Sequence, residues 1–330
     1  MLRTVTSRVT VDVLEHLSDS DARGVRAVIA SATAADGAAP VSEHVLLQFG
    51  SAEPGGVHLL VREESGAVIG YAHSEVSPES GGPRTVVDAE AVIDPAHRRR
   101  GLGRALLERL VDAGQLARVW SHGDHPGARA LGAELGFRVV RELLQLRRPL
   151  NGVEDLAEPV LPEGVVLRTF RPGADDAEWL RVNAKAFSWH PEQGRMTQAD
   201  LDARKAEPWF DPAGFFVAES AESGESGESG AKMIGFHWTK VHPEGLGEVY
   251  AVGVDPDRHG GGLGTALTAA GLRHLAGLDL PAVSLYVEAD NAPALKVYHR
   301  LGFTSFSVDV VHEGPYADAQ PQAQPDVRKD

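Results

Sequence analysis

The strongest constraint on this fold is an internal repeat. "VIDPAHRRRGLG" at 92–103 and "GVDPDRHGGGLG" at 253–264 share one spacing. An offset of 161 residues lays Asp94-Pro95 on Asp255-Pro256, and Gly101 and Gly103 on Gly262 and Gly264. A second match, "ALGAELGF" at 130–137 with "KVYHRLGF" at 296–303, follows at an offset of 166. Between the two matches each half has room for a helix and a strand. The same order with slightly different loop lengths marks a tandem duplication. A chain of 330 residues divides comfortably into two domains of about 150.

The coarse periodicity repeats as well. In the first half, 21–33 and 41–49 read as helices, 56–62 and 66–73 as a hairpin, and 85–93 as a strand ending at Asp-Pro. Leu102, Leu106 and Leu110 then mark one helical face. Strand 117–122, helix 126–135 and strand 137–146 close that half. The second half reads as strand 165–170, helices 175–187 and 198–207, and strands 214–219, 233–241 and 247–254. Helix 263–275, strand 283–289, helix 292–301 and strand 303–311 complete it. Strands joined by crossing helices give an α/β class: two tandem domains, each a mixed twisted sheet flanked by helices. The expected boundaries are 1–150, a proline-bearing linker at 151–164, a second domain at 165–316 and a flexible tail at 317–330. "ESGESGESG" at 222–230 reads as a low-complexity loop.

Charge and composition remove several function classes. A net charge of −15 opposes nucleic-acid binding and attraction to anionic membranes. No apolar run approaches the roughly 20 residues of a spanning helix, and the first residues lack a signal-peptide core. Zero cysteines exclude thiolate nucleophiles and cysteine metal sites, and the 14 histidines show no ligand spacing, so no metal is expected. A cytoplasmic monomer is the expectation.

The glycine loop fits none of three familiar patterns. A dinucleotide fingerprint fails because the sixth position from Gly262 is Leu267. No Gly-Lys-Ser/Thr supplies a Walker A loop. "HGGG" at 259–262 imitates an oxyanion loop, but no G-x-S-x-G elbow accompanies it. What remains is a strand, Asp-Pro, a short loop and an amphipathic helix opening on glycine. Such a helix start offers unpaired N–H groups and about half a positive charge, which suits a pyrophosphate. A tight strand-to-helix turn without ligand fits the same residues.

Both loops resemble the GNAT acetyltransferase signature, Q/R-x-x-G-x-G/A at a helix start. Arg98, Gly101 and Gly103 match it fully; in the second copy His259 replaces the Gln/Arg, while Gly262 and Gly264 match. The resemblance implies two GNAT-like domains that use acetyl-CoA, its pantetheine arm along the preceding strand and its pyrophosphate in the loop. Acetyl transfer to an amine needs a base, oxyanion donors and an acid for the leaving thiolate. Aligning Phe137 on Phe303 sets Gly132 opposite Tyr298 and His125 opposite Asn291, so the first half lacks the hydroxyl. The resemblance makes Tyr298 the acid; a core aromatic is its plainer reading. Asn291 reads as an N-cap. Glu248 is the candidate base, and strict alternation puts Tyr250, Val252 and Val254 on its face. Its plainer reading is a solvent-facing strand glutamate.

Nearly the whole chain is also similar to the mycothiol synthase family. The similarity is carried by "HPEQG" at 190–194, "WFDP" at 209–212, "GFHWTKVHP" at 235–243, "LYVEADN" at 285–291, "DGAAPVSEHVL" at 36–46 and "RELLQLRRPL" at 141–150. It implies acetylation of the cysteinyl amine of cysteinyl-glucosaminyl-inositol, a small amino-sugar substrate, as the last step of mycothiol synthesis. Glu43, Glu192, Lys240, Glu248 and Tyr286 match substrate-contacting positions, with Glu248 and Tyr298 catalytic. Val252, Gly253, Val254, His259, Gly260, Gly261, Gly262, Leu263, Gly264 and Thr265 match acetyl-CoA positions. Asn291, Ala292, Pro293, Ala294, Leu295 and Lys296 match them too. In the first half, Ala91, Val92, Ile93, Arg99, Arg100, Gly101, Leu102, Gly103 and Arg104 match a second acetyl-CoA site that the resemblance makes non-catalytic. The family usually has basic residues where this chain has Gly260 and Gly261, so a moderately raised acetyl-CoA KM is expected. Two alternatives stay open: an acetyltransferase for another small amine or a peptide N-terminus, and a non-catalytic acetyl-CoA sensor.

Overall fold

A computed structural model describes residues 10–50, 56–78, 85–111, 116–188, 193–220, 232–258 and 260–315. Glu192 and His259, the acidic-glycine loop at 222–230 and the tail from 317 lie outside the described residues. The chain partitions into two units, Met1–Leu143 with Ser307–Asp330, and Leu144–Phe306.

The first unit runs β1 (Thr10–Leu14), α1 (Asp19–Asp36), α2 (Glu43–Leu47), β2 (Val57–Arg62), β3 (Val68–Pro78), β4 (Thr85–Ile93), α3 (Leu102–Leu110), β5 (Ala117–Ser121) and α4 (Pro126–Glu134). Ser18 caps α1 by accepting from the Asp21 N–H, and Gly37 ends it at φ 75°. Val25, Val28, Ile29 and Ala32 form its buried stripe. β2 splits its side chains between the two faces of the sheet, as a period of two requires. Leu60 joins Tyr71 and Val92 against α1, while Leu59 and Val61 join Ala89 against Leu102 and Leu106 of α3. The three leucines of the predicted face are all buried.

The second unit repeats the plan after β6 (Arg138–Pro149). It has β7 (Val165–Thr169), α5 (Asp176–Ala186), α6 (Gln198–Lys205), β8 (Phe215–Ser220), β9 (Lys232–Val241), β10 (Gly247–Val254), α7 (Leu263–Ala276), β11 (Ala282–Glu288), α8 (Ala292–Arg300) and β12 (Thr304–Gly314). Thr197 and Asp200 close a capping box on α6. One face buries Phe215, Phe236 and Trp238 against Trp179 of α5 and Leu201 of α6. The other packs Leu272 and Leu275 of α7 with Val249 and Val283.

Three features differ from the sequence expectation. Strand β1 pairs antiparallel with β2, from Thr10 opposite Arg62 to Leu14 opposite His58; so short a segment gains its strand character from that distant partner. The segment expected as a linker at 151–164 is packed: Leu156 is buried in the second unit's core, and Arg273 donates to the carbonyls of Val153 and Leu156. Finally, the partition cuts inside the two terminal strands. Residues of β6 from Leu144 and of β12 up to Phe306 go with the second unit, and β12 from Ser307 goes with the first. There Val310 to Gly314 pair antiparallel with β5. The open backbone edge of β5 demands a partner, and the end of β12 supplies it.

Candidate active site

Both glycine loops build the same backbone device. α3 and α7 start at Gly101 (φ 82°) and Gly262 (φ 83°), each without a side-chain cap. The first helical bonds run from Ala105 N to Gly101 O and from Ala266 N to Gly262 O, so the N–H groups of residues 102–104 and 263–265 have no helical acceptor. In the second loop Gly260, Gly261 and Gly262 all have positive φ, at 100°, 63° and 83°. In the first, Arg99 takes φ 61° at the position matching Gly260. The arginines of "RRRGLG" are partly committed: Arg98 pairs bidentately with Asp36 and donates to the Ile93 carbonyl, and Arg100 donates to the Ala96 carbonyl.

Ahead of each loop the sheet opens. β10 pairs in parallel with β11 only at Gly247–Val283 and Glu248–Ser284. Past Glu248 its other edge stays bonded to β9, with Val252, Gly253 and Val254 opposite His237, Phe236 and Gly235. The strand edge facing β11 is therefore free to pair with an extended ligand. In the first unit β4 and β5 pair in parallel from Val87–Ala117 to Glu90–Trp120, and Ala91, Val92 and Ile93 lie beyond. Here a cavity of about 470 Å³ opens, lined by those residues, the 98–104 loop and one side of α4.

The alternation expected along β10 is broken. A register shift between Val249 and Ala251 makes Tyr250 an extra residue, a β-bulge. Tyr250 packs with Trp209 and Trp238, whereas Val252 and Val254 pack on the opposite face against Leu263 and Leu267. Glu248 lies opposite Lys240, whose ammonium sits 4.8 Å above the Trp209 ring. Glu248 thus shares a face with Tyr250 but not with Val252 or Val254. It is also not solvent-facing: it is 8% exposed, and His242 Nε2 lies 2.5 Å from its Oε2. His242 was not singled out in the sequence, although its place six residues before Glu248, across a hairpin, was the available signal.

Tyr298 is the buried residue of α8, 7% exposed, and stacks edge-on with Phe303 at 5.8 Å. Burial pushes its hydroxyl up to about 12, so it keeps its proton at neutral pH. Asn291 caps α8 by accepting from the Ala294 N–H, which fixes Ala292, Pro293, Ala294 and Leu295 as the first turn, with Lys296 exposed beyond it. Tyr286 is 47% exposed, and its hydroxyl accepts from Gln145. Glu43, in the first unit, is the exposed first residue of α2.

The first unit carries a different polar set. Ser42 N–H donates to Glu90 at 2.5 Å. His122 Nδ1 meets Asp309 at 3.1 Å and its Nε2 lies 3.5 Å from Glu90. Burial pulls the His122 pKa down, but the Asp309 and Glu90 carboxylates outweigh it and carry it to about 9.

The profile of the acetyltransferase (GNAT) family matches residues 28–137 and 178–303. A mycothiol acetyltransferase of Streptomyces coelicolor is 52% identical over 306 residues, 92% of this chain and 94% of that protein. One from Thermomonospora curvata is 49% identical over 91% of this chain and 96% of that protein. Among solved structures, a GCN5-related N-acetyltransferase from Sphaerobacter thermophilus superposes at a TM-score of 0.69, with 22% identity over 92% of this chain and 95% of its own. A tandem GNAT protein from the clavulanic acid biosynthesis pathway superposes at 0.66, with 18% identity over 96% and 100%; both show a shared fold.

Proposed function

Because the chain belongs to the mycothiol acetyltransferases of the acetyltransferase (GNAT) family, we propose that its second unit acetylates the cysteinyl amine of cysteinyl-glucosaminyl-inositol. The chain is an N-acetyltransferase that uses acetyl-CoA, which supplies the activated acetyl group as a thioester. One observation carries the assignment to the second unit: the opened β10–β11 edge has a buried carboxylate, Glu248, at its closed end, and the unit also holds a buried, protonated phenol, Tyr298. The first unit has Gly132 at the position matching Tyr298.

In this reading the free edge of β10 at Val252 to Val254 holds the pantetheine arm, and the unpaired N–H groups at 263–265 take the pyrophosphate. Lys240, Glu192 and Tyr286 contact the amino-sugar substrate. Glu248 removes the ammonium proton and makes the nitrogen lone pair available. Tyr298 gives its proton to the sulfur as the C–S bond breaks, so that coenzyme A leaves as a thiol. The first unit holds a second acetyl-CoA without turnover. The protein works as a cytoplasmic monomer on a small molecule, independent of nucleic acid and membrane. Among the described residues, no helix is long and apolar enough to cross a membrane.

Steady-state acetylation of cysteinyl-glucosaminyl-inositol tests the roles. Tyr298→Phe and Glu248→Gln are each expected to lower kcat by about 10²–10⁴. Full rates in both variants would remove both assignments. A wild-type enzyme that ignores this amine but acetylates others would remove the substrate.

A further inference from the structure

The position that carries Tyr298 in the second unit carries Gly132 in the first, and the space beside it is filled from elsewhere. A Cβ on Gly132 would lie 3.1 Å from Nδ1 of His312. His312 comes from β12, opposite Val119 of β5, and is 5% exposed. It lines the first unit's cavity, and its Nε2 is buried with no hydrogen-bond partner. Buried polar atoms in folded proteins are nearly always paired, because an unmade hydrogen bond costs the full desolvation of the group. An imidazole that lines a cavity, with Nδ1 beside Gly132 and Nε2 unpaired, is a natural partner of whatever fills that cavity.

Other polar groups of that wall are already engaged. Arg98 holds Asp36, His125 Nδ1 accepts from the Gly127 N–H at the start of α4, and His122, whose Nε2 also lacks a hydrogen bond, is held as an ion pair between Asp309 and Glu90. Burial, reinforced by Arg129 and opposed by Asp124, holds the His312 pKa below its usual value. Its ring is therefore neutral at pH 7 and offers polarity without charge.

We infer that His312 recognises the sulfur end of a coenzyme A thioester in the first unit, meeting from a strand the group that Tyr298 meets from a helix in the second. This inference rests on the reading that the first unit binds acetyl-CoA. It explains how that unit can hold the ligand firmly and stay inactive. An imidazole hydrogen bond orients the thioester, but a neutral imidazole N–H is a far weaker proton donor than a phenol.

The test is calorimetric titration of the full chain with acetyl-CoA, without amine acceptor. Wild type should bind two equivalents. His312→Phe keeps the bulk beside Gly132 and removes the nitrogen. It should weaken one equivalent about tenfold, the size of one lost hydrogen bond, and leave the kcat and acetyl-CoA KM of acetylation unchanged. His312→Gln should recover most of the affinity. The melting temperature of His312→Phe should hold or rise, since an unpaired buried nitrogen is gone; a purely structural role for His312 predicts the reverse. Desulfo-CoA removes the sulfur at both sites, so with wild type it should weaken both equivalents; with His312→Phe it should bind at the first unit no more weakly than acetyl-CoA does. Two unaltered equivalents in His312→Phe, or undiminished desulfo-CoA binding, overturn the inference and leave the first-unit reading intact. A single equivalent in wild type overturns both.

Discussion

On the proposed reading, the two glycine loops invert the ranking that their sequences suggest. "RRRGLG" matches the family signature in full and is rich in cations, yet Arg98 and Arg100 spend hydrogen bonds on the protein itself. "RHGGGLG" has His259, Gly260 and Gly261 where the first copy has three arginines, and its three successive glycines are left-handed, with Glu248 and Tyr298 in its unit. The backbone N–H groups are common to both loops. What separates the halves lies away from the loops: a bulge in β10 with no counterpart in the continuous β3–β4 register, and a phenol in place of Gly132. A binding motif reports binding, and chemistry has to be located separately.

That comparison can be sharpened beyond Glu248 and Tyr298 themselves. His242 is the contact that holds Glu248 in place, so His242→Ala should cost about tenfold in kcat with little change in acetyl-CoA KM. An equal rise in KM with constant kcat would instead make His242 a ligand-binding residue.

The halves should also respond to pH in opposite directions. His122 in the first unit titrates near 9 when folded, because Asp309 and Glu90 overcome burial, against 6.5 unfolded. Its stabilisation is complete below pH 6.5 and is lost as pH rises through about 9. His237 in the second unit is driven down to about 4 by burial. Protonation therefore favours its unfolded form, and stability falls as pH drops from 6.5 toward 4. Melting curves across this range should show His122→Asn flattening the alkaline limb and His237→Asn the acid limb. Unchanged limbs in both variants would show that other groups set the pH dependence.

The smallest effect belongs to the loop. Gly261 has φ 63°, a value that Arg99 tolerates in the first loop at 61°, and a Cβ there meets only Pro162 at 3.7 Å. Gly261→Arg should lower the acetyl-CoA KM about two- to threefold, the scale of one exposed ion pair. Gly260, at φ 100°, is the poorer host for a side chain. An unchanged KM would show that cation loss is immaterial to cofactor affinity.

Much of this was legible in the sequence because it is local. Leucine spacing marked α3, and the repeat of Asp-Pro, glycine and "LGF" placed both loops and both following helices. The missing hydroxyl at Gly132 was visible by alignment alone. What the sequence hid depends on distant partners. The bulge at Tyr250 arises from pairing against β9 and reversed the face expected for Val252 and Val254. β1 takes its strand form from β2, the supposed linker is pinned by Arg273 of α7, and His312 reaches Gly132 across more than half the chain.

The claim that the second unit does the chemistry is tested most directly by breaking each loop in turn. Gly101 and Gly262 have nearly the same φ, 82° and 83°, and a β-branched residue is severely strained there. Acetylation rates of Gly101→Val and Gly262→Val, compared at equal folded fraction, should separate widely. The account predicts that Gly262→Val abolishes turnover while Gly101→Val stays within about threefold of wild type, the scale of a modest indirect effect. Loss of turnover in Gly101→Val, with Gly262→Val still active, would contradict it.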